Sequence, residues 1–182
     1  MRESRAPSFT AHPCVILAVD PGAKSGWAIF DGGKYATSGM CKSQAGRAFA
    51  CEIAAGRAKA SGLGLVVVAE KWTPGGKFAG ARTMAGLGAQ WGLWLAAIEA
   101  AHIPKSRVVR VHTQTWRAAI LQPRRGTRSE QLKLMSIARA EAISGEPYMD
   151  DDRADAICIG QWATRAAEVA AKVPKRARKA AA

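Results

Sequence analysis

The chain has 182 residues, is 48% hydrophobic and 23% charged, and carries 27 Lys+Arg against 14 Asp+Glu, a formal charge of +13 with a pI near 10.2. That length suits one domain with short appendages, and the apolar share excludes wholesale disorder. The surplus of base points to a polyanionic partner, nucleic acid or an anionic membrane surface.

Other classes fall on simple grounds. No apolar run reaches the ~18 residues of a transmembrane helix, and residues 1–13 lack the apolar centre of a signal peptide and read as a flexible leader. Cys14, Cys41, Cys51 and Cys158 form no C-x-x-C pair, and His12, His102 and His112 share no ligand spacing. Buried thiols in a reducing cytoplasm follow, and zinc does not.

In chain order, residues 15–20 (VILAVD) are a continuous apolar run ending in a carboxylate, the signature of a buried strand. Pro21-Gly22 breaks it. Residues 26–30 and 34–40 are two further strands around the Asp31-Gly32-Gly33 turn. An alanine-rich helix over 44–60 closes at Ser61-Gly62. Residues 65–70 (LVVVAE) form a second buried strand ending in an acid, followed by a Gly/Pro loop over 71–80. A long helix spans 82–102, a short strand 108–111, and helices cover 113–121, 129–143 and 152–169, with Ser129 as N-cap of the second of these. Residues 172–182 are a basic tail without a periodic apolar face, read as disordered, and leave 14–171 as the folded domain. The order β β β α β α β α α α implies an α/β domain with a mixed sheet flanked by helices.

Acids are scarce, so their placement is informative. Asp20 and Glu70 each end an apolar strand, where neighbouring strands of an α/β sheet form a ligand crevice. Asp150-Asp151-Asp152 precede an apolar helix, and one of the three caps it. Asp155 shares a helical face with Cys158, Ile159 and Trp162, and Asp152 lies one turn earlier on that face. Carboxylates pointed at the sheet need a cation. Either a divalent metal supplies it, or Asp155 pairs with an arginine from another helix. Asp20, Glu70, Asp152 and Asp155 on three elements suit a site for two Mg²⁺, with Mn²⁺ as substitute, since the ligand set is all oxygen.

The string Ala18-Val19-Asp20-Pro21-Gly22 with Ser25-Gly26-Trp27-Ala28, the acid closing residues 66–70, and Asp152-Arg153-Ala154-Asp155-Ala156 together resemble the ordered motifs of RuvC-type Holliday junction resolvases, in their short bacterial or phage-borne form. The resemblance covers about residues 15–169. It implies a ribonuclease H-like mixed five-stranded sheet and a Mg²⁺-dependent endonuclease that cuts four-way or other branched DNA by paired nicks. It further implies a homodimer, products with a 5′-phosphate and a 3′-hydroxyl, and a bacterial or phage-infected cytoplasm. An aromatic after the second acid wedges into the junction in such enzymes. Here Trp72, Lys77 and Phe78 occupy that loop, with Trp72 either wedge or core. The family places lysines near the site before the last helix. This chain offers Arg117, Arg124, Arg125, Arg128 and Lys133 there as DNA contacts, and the resemblance leaves open which of them, if any, takes the catalytic lysine's role.

Three rivals remain. An actin-like ATPase would need a second glycine-rich phosphate loop and a longer chain. A non-catalytic DNA-binding module gains nothing from four acids. A related nuclease acting on flaps or RNA–DNA hybrids differs only in substrate. Residues 104–139 hold nine basic residues and one acid, and 172–182 five basic residues, which together account for the whole surplus of charge. The base therefore flanks the last acidic helix, and no amphipathic face accompanies it to favour a membrane.

Overall fold

The computed structural model describes residues 14–71, 81–147, 150–166 and 169, with the backbone alone for 81–84. Its elements are β1 (Cys14–Asp20), β2 (Ser25–Asp31), β3 (Lys34–Cys41), α1 (Gln44–Ser61), β4 (Gly64–Lys71), α2 (Ala81–Ala100), β5 (Val108–His112), α3 (Thr113–Ile120), α4 (Ser129–Ser144) and α5 (Asp151–Ala163). The strands form one five-stranded sheet in the order β3-β2-β1-β4-β5. The first three strands are antiparallel neighbours, whereas β1, β4 and β5 run parallel. This is the mixed sheet flanked by helices that the sequence implies.

Both β1 and β4 are buried on both faces up to their last residues, which is why they read as unbroken apolar runs. Alternation then splits the core in two. Ile16, Ala18, Val66, Val68, Val109 and Val111 face a cluster built with α3, α4 and α5. Val15, Leu17, Val19, Leu65, Val67 and Ala69 face α1 and α2. By the same period of two, Asp20 and Glu70 continue the first set, toward α5.

Helix α5 is buried almost all round, as its apolar composition requires. Its approach to the sheet depends on two glycines. A Cβ on Gly26 would fall 1.9 Å from the backbone oxygen of Asp152, and one on Gly160 would fall 2.2 Å from the Phe30 ring. Any larger residue at either position would lift the helix off β2. The helix begins one residue earlier than the sequence suggests, because Asp150 is the cap, accepting from the N–H groups of Asp152 (3.0 Å) and Arg153 (3.4 Å).

Other boundaries shift for identifiable reasons. α1 starts behind Ser43, whose hydroxyl accepts from Gly46 N, and stops at Gly62 with φ 68°. α2 ends at Ala100, and His102 takes φ 54° beyond it. Ser129 is not the cap of α4. Arg128 holds that position, its N–H donating to Gln131 Oε1 at 3.1 Å, so the third helical residue reaches back to satisfy the end and Ser129 becomes the first helical residue. Ile98 and Trp94 are core residues, about 1% and 0% exposed. The expectations for 1–13, for most of the 71–80 loop and for the basic tail lie outside the described residues.

Candidate active site

The parallel register pairs Val19 with Ala69, so Asp20 and Glu70 close two adjacent strands side by side. On the other side Asp20 pairs with Gly26, the residue against which the Asp152 backbone rests. The tight glycine contact thus brings the first turn of α5 to the end of β1. Asp155 follows one turn later, almost buried.

The carboxyls of these acids act on one another electrostatically. The Asp20 carboxyl is pushed well above the usual carboxylate range, first by burial and then by Glu70, Asp155 and Asp152; Arg117 opposes the shift. Glu70 is pushed up mainly by burial, with Asp155 adding to it. Burial likewise raises Asp155. Asp152 rises to about 6 through burial and the charges of Asp151, Asp150 and Asp155. Each shift reports that the charged forms crowd one another in a poorly solvated place.

Helix α3 supplies partners that sequence reasoning missed. Thr113 Oγ1 donates to Glu70 Oε1, and Trp116 Nε1 donates to Glu70 Oε2 at 3.1 Å. The two residues stand three apart, one helical face. β5 delivers them there, because Glu70 pairs with Val111 and α3 starts two residues on. A polar residue and an indole donor at that spacing, directly after a strand adjoining an acid-terminated one, were the available signal. Trp116 is also fully buried, so its role as core hides its role as donor. Arg110 adds a brace on the opposite face, its Nη2 donating to the Glu70 carbonyl at 2.8 Å while its Cζ lies 3.9 Å from the Trp91 ring centroid.

The basic residues divide into two groups. Arg117, placed by the sequence among phosphate contacts, points inward: its Nη2 donates to Asp155 Oδ2 at 2.9 Å. This realises the alternative in which Asp155 pairs with an arginine from another helix. Lys133 Nζ lies 2.6 Å from Asp151 Oδ2 at the mouth of the site. By contrast, Arg124 and Arg125 line an open cleft of about 550 Å³ with Gln122, Gly126, Thr127, Gln131 and Met135, and Arg128 is exposed beside it. Trp72, Lys77 and Phe78 lie outside the described residues.

The carboxylates of Asp150, Asp151 and Asp152 sit within 4.8 Å of one another and can coordinate a divalent metal. Two of them have other partners, since Asp150 caps α5 and Asp151 holds Lys133. Asp152 belongs both to this group and to the inner set with Asp20, Glu70 and Asp155. Among the described residues only Asp150, Asp151 and Asp152 bring three ligand atoms that close together. Asp20, Glu70 and Asp155 add further oxygen donors on neighbouring elements, with Asp155 paired to Arg117, and an all-oxygen donor set is the chemistry a hard divalent cation takes.

No protein-family model and no curated protein matches the sequence. Among solved structures, the Thermus thermophilus RuvC in complex with a Holliday junction substrate superposes with a TM-score of 0.56 at 17% identity, covering 81% of this chain and 90% of that one. A second Thermus thermophilus RuvC structure gives 0.54 at 16% identity, with 81% and 91% covered. The fold is ribonuclease H-like. At such identities the likeness speaks for the fold alone, and the ribonuclease H-like arrangement explains why strand-end acids and the last helix meet at one place.

Proposed function

We propose that the chain is a divalent-metal-dependent endonuclease that resolves four-way or other branched DNA junctions by paired nicks. The observation that carries this reading is the convergence of Asp20, Glu70, Asp152 and Asp155, from two strand ends and one helix, in a chain of net charge +13. Acids so crowded, beside arginines exposed for phosphate, fit metal-assisted phosphodiester hydrolysis better than binding alone.

In this proposal Asp20, Glu70, Asp152 and Asp155 hold Mg²⁺ or Mn²⁺. An ion held by these residues would supply Lewis-acid chemistry, making a bound water easier to deprotonate and offsetting charge on the leaving oxygen. The chain's own residues do the rest. Thr113 and Trp116 fix both Glu70 oxygens, Asp150 fixes the first turn of α5, and Arg153 ties that turn to β3 through Ser38 at 2.9 Å. Arg124, Arg125 and Arg128 meet phosphates, with Lys133 nearer the acids. Trp72, Lys77 and Phe78 are proposed to meet the branch point.

A homodimer belongs to the same proposal. Its support is the outer side of α2, where Gly88, Ala89, Gly92, Leu93 and Ala96 are exposed without a charge among them. Such an uncharged helix face favours a protein neighbour over water. A cytoplasmic setting accords with four buried free thiols, and among the described residues no helix is long and apolar enough to cross a membrane.

The test is a panel of four-way junction, flap, RNA–DNA hybrid and linear duplex, each with and without Mg²⁺. Metal-dependent, symmetric cutting of the junction in preference to the rest is the expected result. Preference for hybrid or flap would move the reading to another nuclease of this fold, and junction binding without cutting would make the chain a binding module.

A further inference from the structure

Arg117 occupies a position that the metal-site reading leaves unexplained. Its Nη2 donates to Asp155 Oδ2, and the two side chains are 28% and 12% exposed. Its Nε is buried without a hydrogen-bond partner. The guanidinium therefore sits among the acids with part of its donor capacity unused, an arrangement that costs free energy unless another state satisfies it.

The backbone beneath it is fixed. Trp116, the preceding residue, is fully buried and anchored on Glu70, so α3 cannot shift without breaking that contact. What holds the side chain is the Asp155 ion pair and a position 5.1 Å over the Trp116 ring, and α3 runs directly into the 122–127 segment that carries Arg124 and Arg125. A carboxylate oxygen accepting from a guanidinium cannot give the same lone pair to a metal ion, and two cations in contact repel. One guanidinium is also too little charge for four acids.

We propose that Arg117 is a resident counter-cation of the acid cluster, which holds Asp155 in the metal-free protein, competes with divalent ions for that carboxylate, and on their binding is released toward a substrate phosphate. The inference rests on the reading of the four acids as a metal site. It makes Arg117 a positioning residue whose removal tightens metal binding, the opposite of what loss of a structural brace would do.

The test uses the full chain. Calorimetric titration with MnCl₂ compares wild type, Arg117→Met, Arg117→Lys and Asp20→Asn, and thermal unfolding is followed with and without the ion. Arg117→Met is expected to raise Mn²⁺ affinity about tenfold, as for two sites coupled through one carboxylate. It should also lower the metal-free Tm and enlarge the rise on adding metal. Arg117→Lys retains the charge and stays within about threefold of wild type. A readout independent of how any variant folds is the ¹⁵Nε–H resonance of Arg117 in wild type, which should shift as Mg²⁺ saturates the site. Unchanged or weaker Mn²⁺ affinity in Arg117→Met, or an unmoved resonance at saturation, overturns the proposal while loss of binding in Asp20→Asn leaves the metal site standing. Absence of metal binding in wild type overturns both.

Discussion

The backbone oxygen of Asp152 lies 1.9 Å from where a Cβ on Gly26 would stand. This contact sets the height of α5 above the sheet and thereby the distance of its acids from Asp20, the β1 partner of Gly26. Since the obstructing atom is backbone, it cannot rotate away. Gly26→Ala is expected to destabilise the fold by about 3 kcal/mol, the upper end of overpacking effects, and to abolish metal-dependent cutting. Gly56→Ala is the control: its Cβ meets nothing within 4 Å on α1, and helix propensity predicts a gain of up to about 1 kcal/mol. Urea unfolding of both variants checks the pair, and equal stabilities would contradict the packing account.

The two donors on Glu70 make a second prediction. Thr113→Val preserves shape and removes one hydroxyl, and Trp116→Phe preserves most of the ring and removes the N–H. Groups that orient a metal-binding carboxylate typically change affinity or activity by about 10–100-fold when lost. Each variant should fall in that range for Mn²⁺ binding and for junction cutting while remaining folded by circular dichroism. Full activity in both would show that Glu70 needs no orientation from α3.

The placement of the four candidate acids was legible in the sequence because the physics behind it is local. Asp20 and Glu70 continue the strand parity of Ile16, Ala18, Val66 and Val68, and Asp155 continues the buried face of Cys158, Ile159 and Trp162. The partners of those acids were not legible, because they depend on packing between distant elements. Arg117 lies 38 residues from Asp155, and a guanidinium on a short helix reads the same whether it faces phosphate or carboxylate. Only as an open alternative did the sequence contain that pair. Trp116 reads as core, which it is, and nothing in its neighbours announces the Nε1 bond to Glu70. The Arg128 cap was missed because the end is satisfied by the Gln131 side chain three residues on, not by a side chain at the cap position itself.

Stability should depend on pH with an unusual sign. The Asp152 carboxyl is pushed up to about 6 from 3.8, and Asp20, Glu70 and Asp155 are shifted in the same direction. The folded metal-free protein therefore binds protons that the unfolded chain releases. The resulting stability is fully present below about pH 4 and is lost as pH rises through about 6. Divalent metal, which selects the ionised acids, should cancel or reverse this trend. Tm measured from about pH 4 to about pH 8, with chelator and with Mg²⁺, in wild type and Asp152→Asn, tests it. A metal-free Tm that falls less steeply in Asp152→Asn is expected, and identical profiles would contradict the assignment.

The basic residues should differ in their salt signatures. Arg124, Arg125 and Arg128 face open solvent, so replacing each by Gln should reduce the slope of log affinity against log salt by about 0.9. Lys133 is engaged with Asp151 at 2.6 Å and should contribute less. Anisotropy of a labelled four-way junction, measured in an Asp20→Asn background to prevent cutting, separates them. Equal slopes for all four variants would place Lys133 among the free phosphate contacts.

Asp20 is proposed to belong to a metal-dependent nuclease centre. The most direct test is the rate at which wild type and Asp20→Asn nick a four-way junction in Mg²⁺, with junction binding measured alongside. Wild type should nick the junction symmetrically, and Asp20→Asn should lose at least about 10²-fold in rate while still binding it. Cutting by Asp20→Asn at the wild-type rate would contradict the proposal.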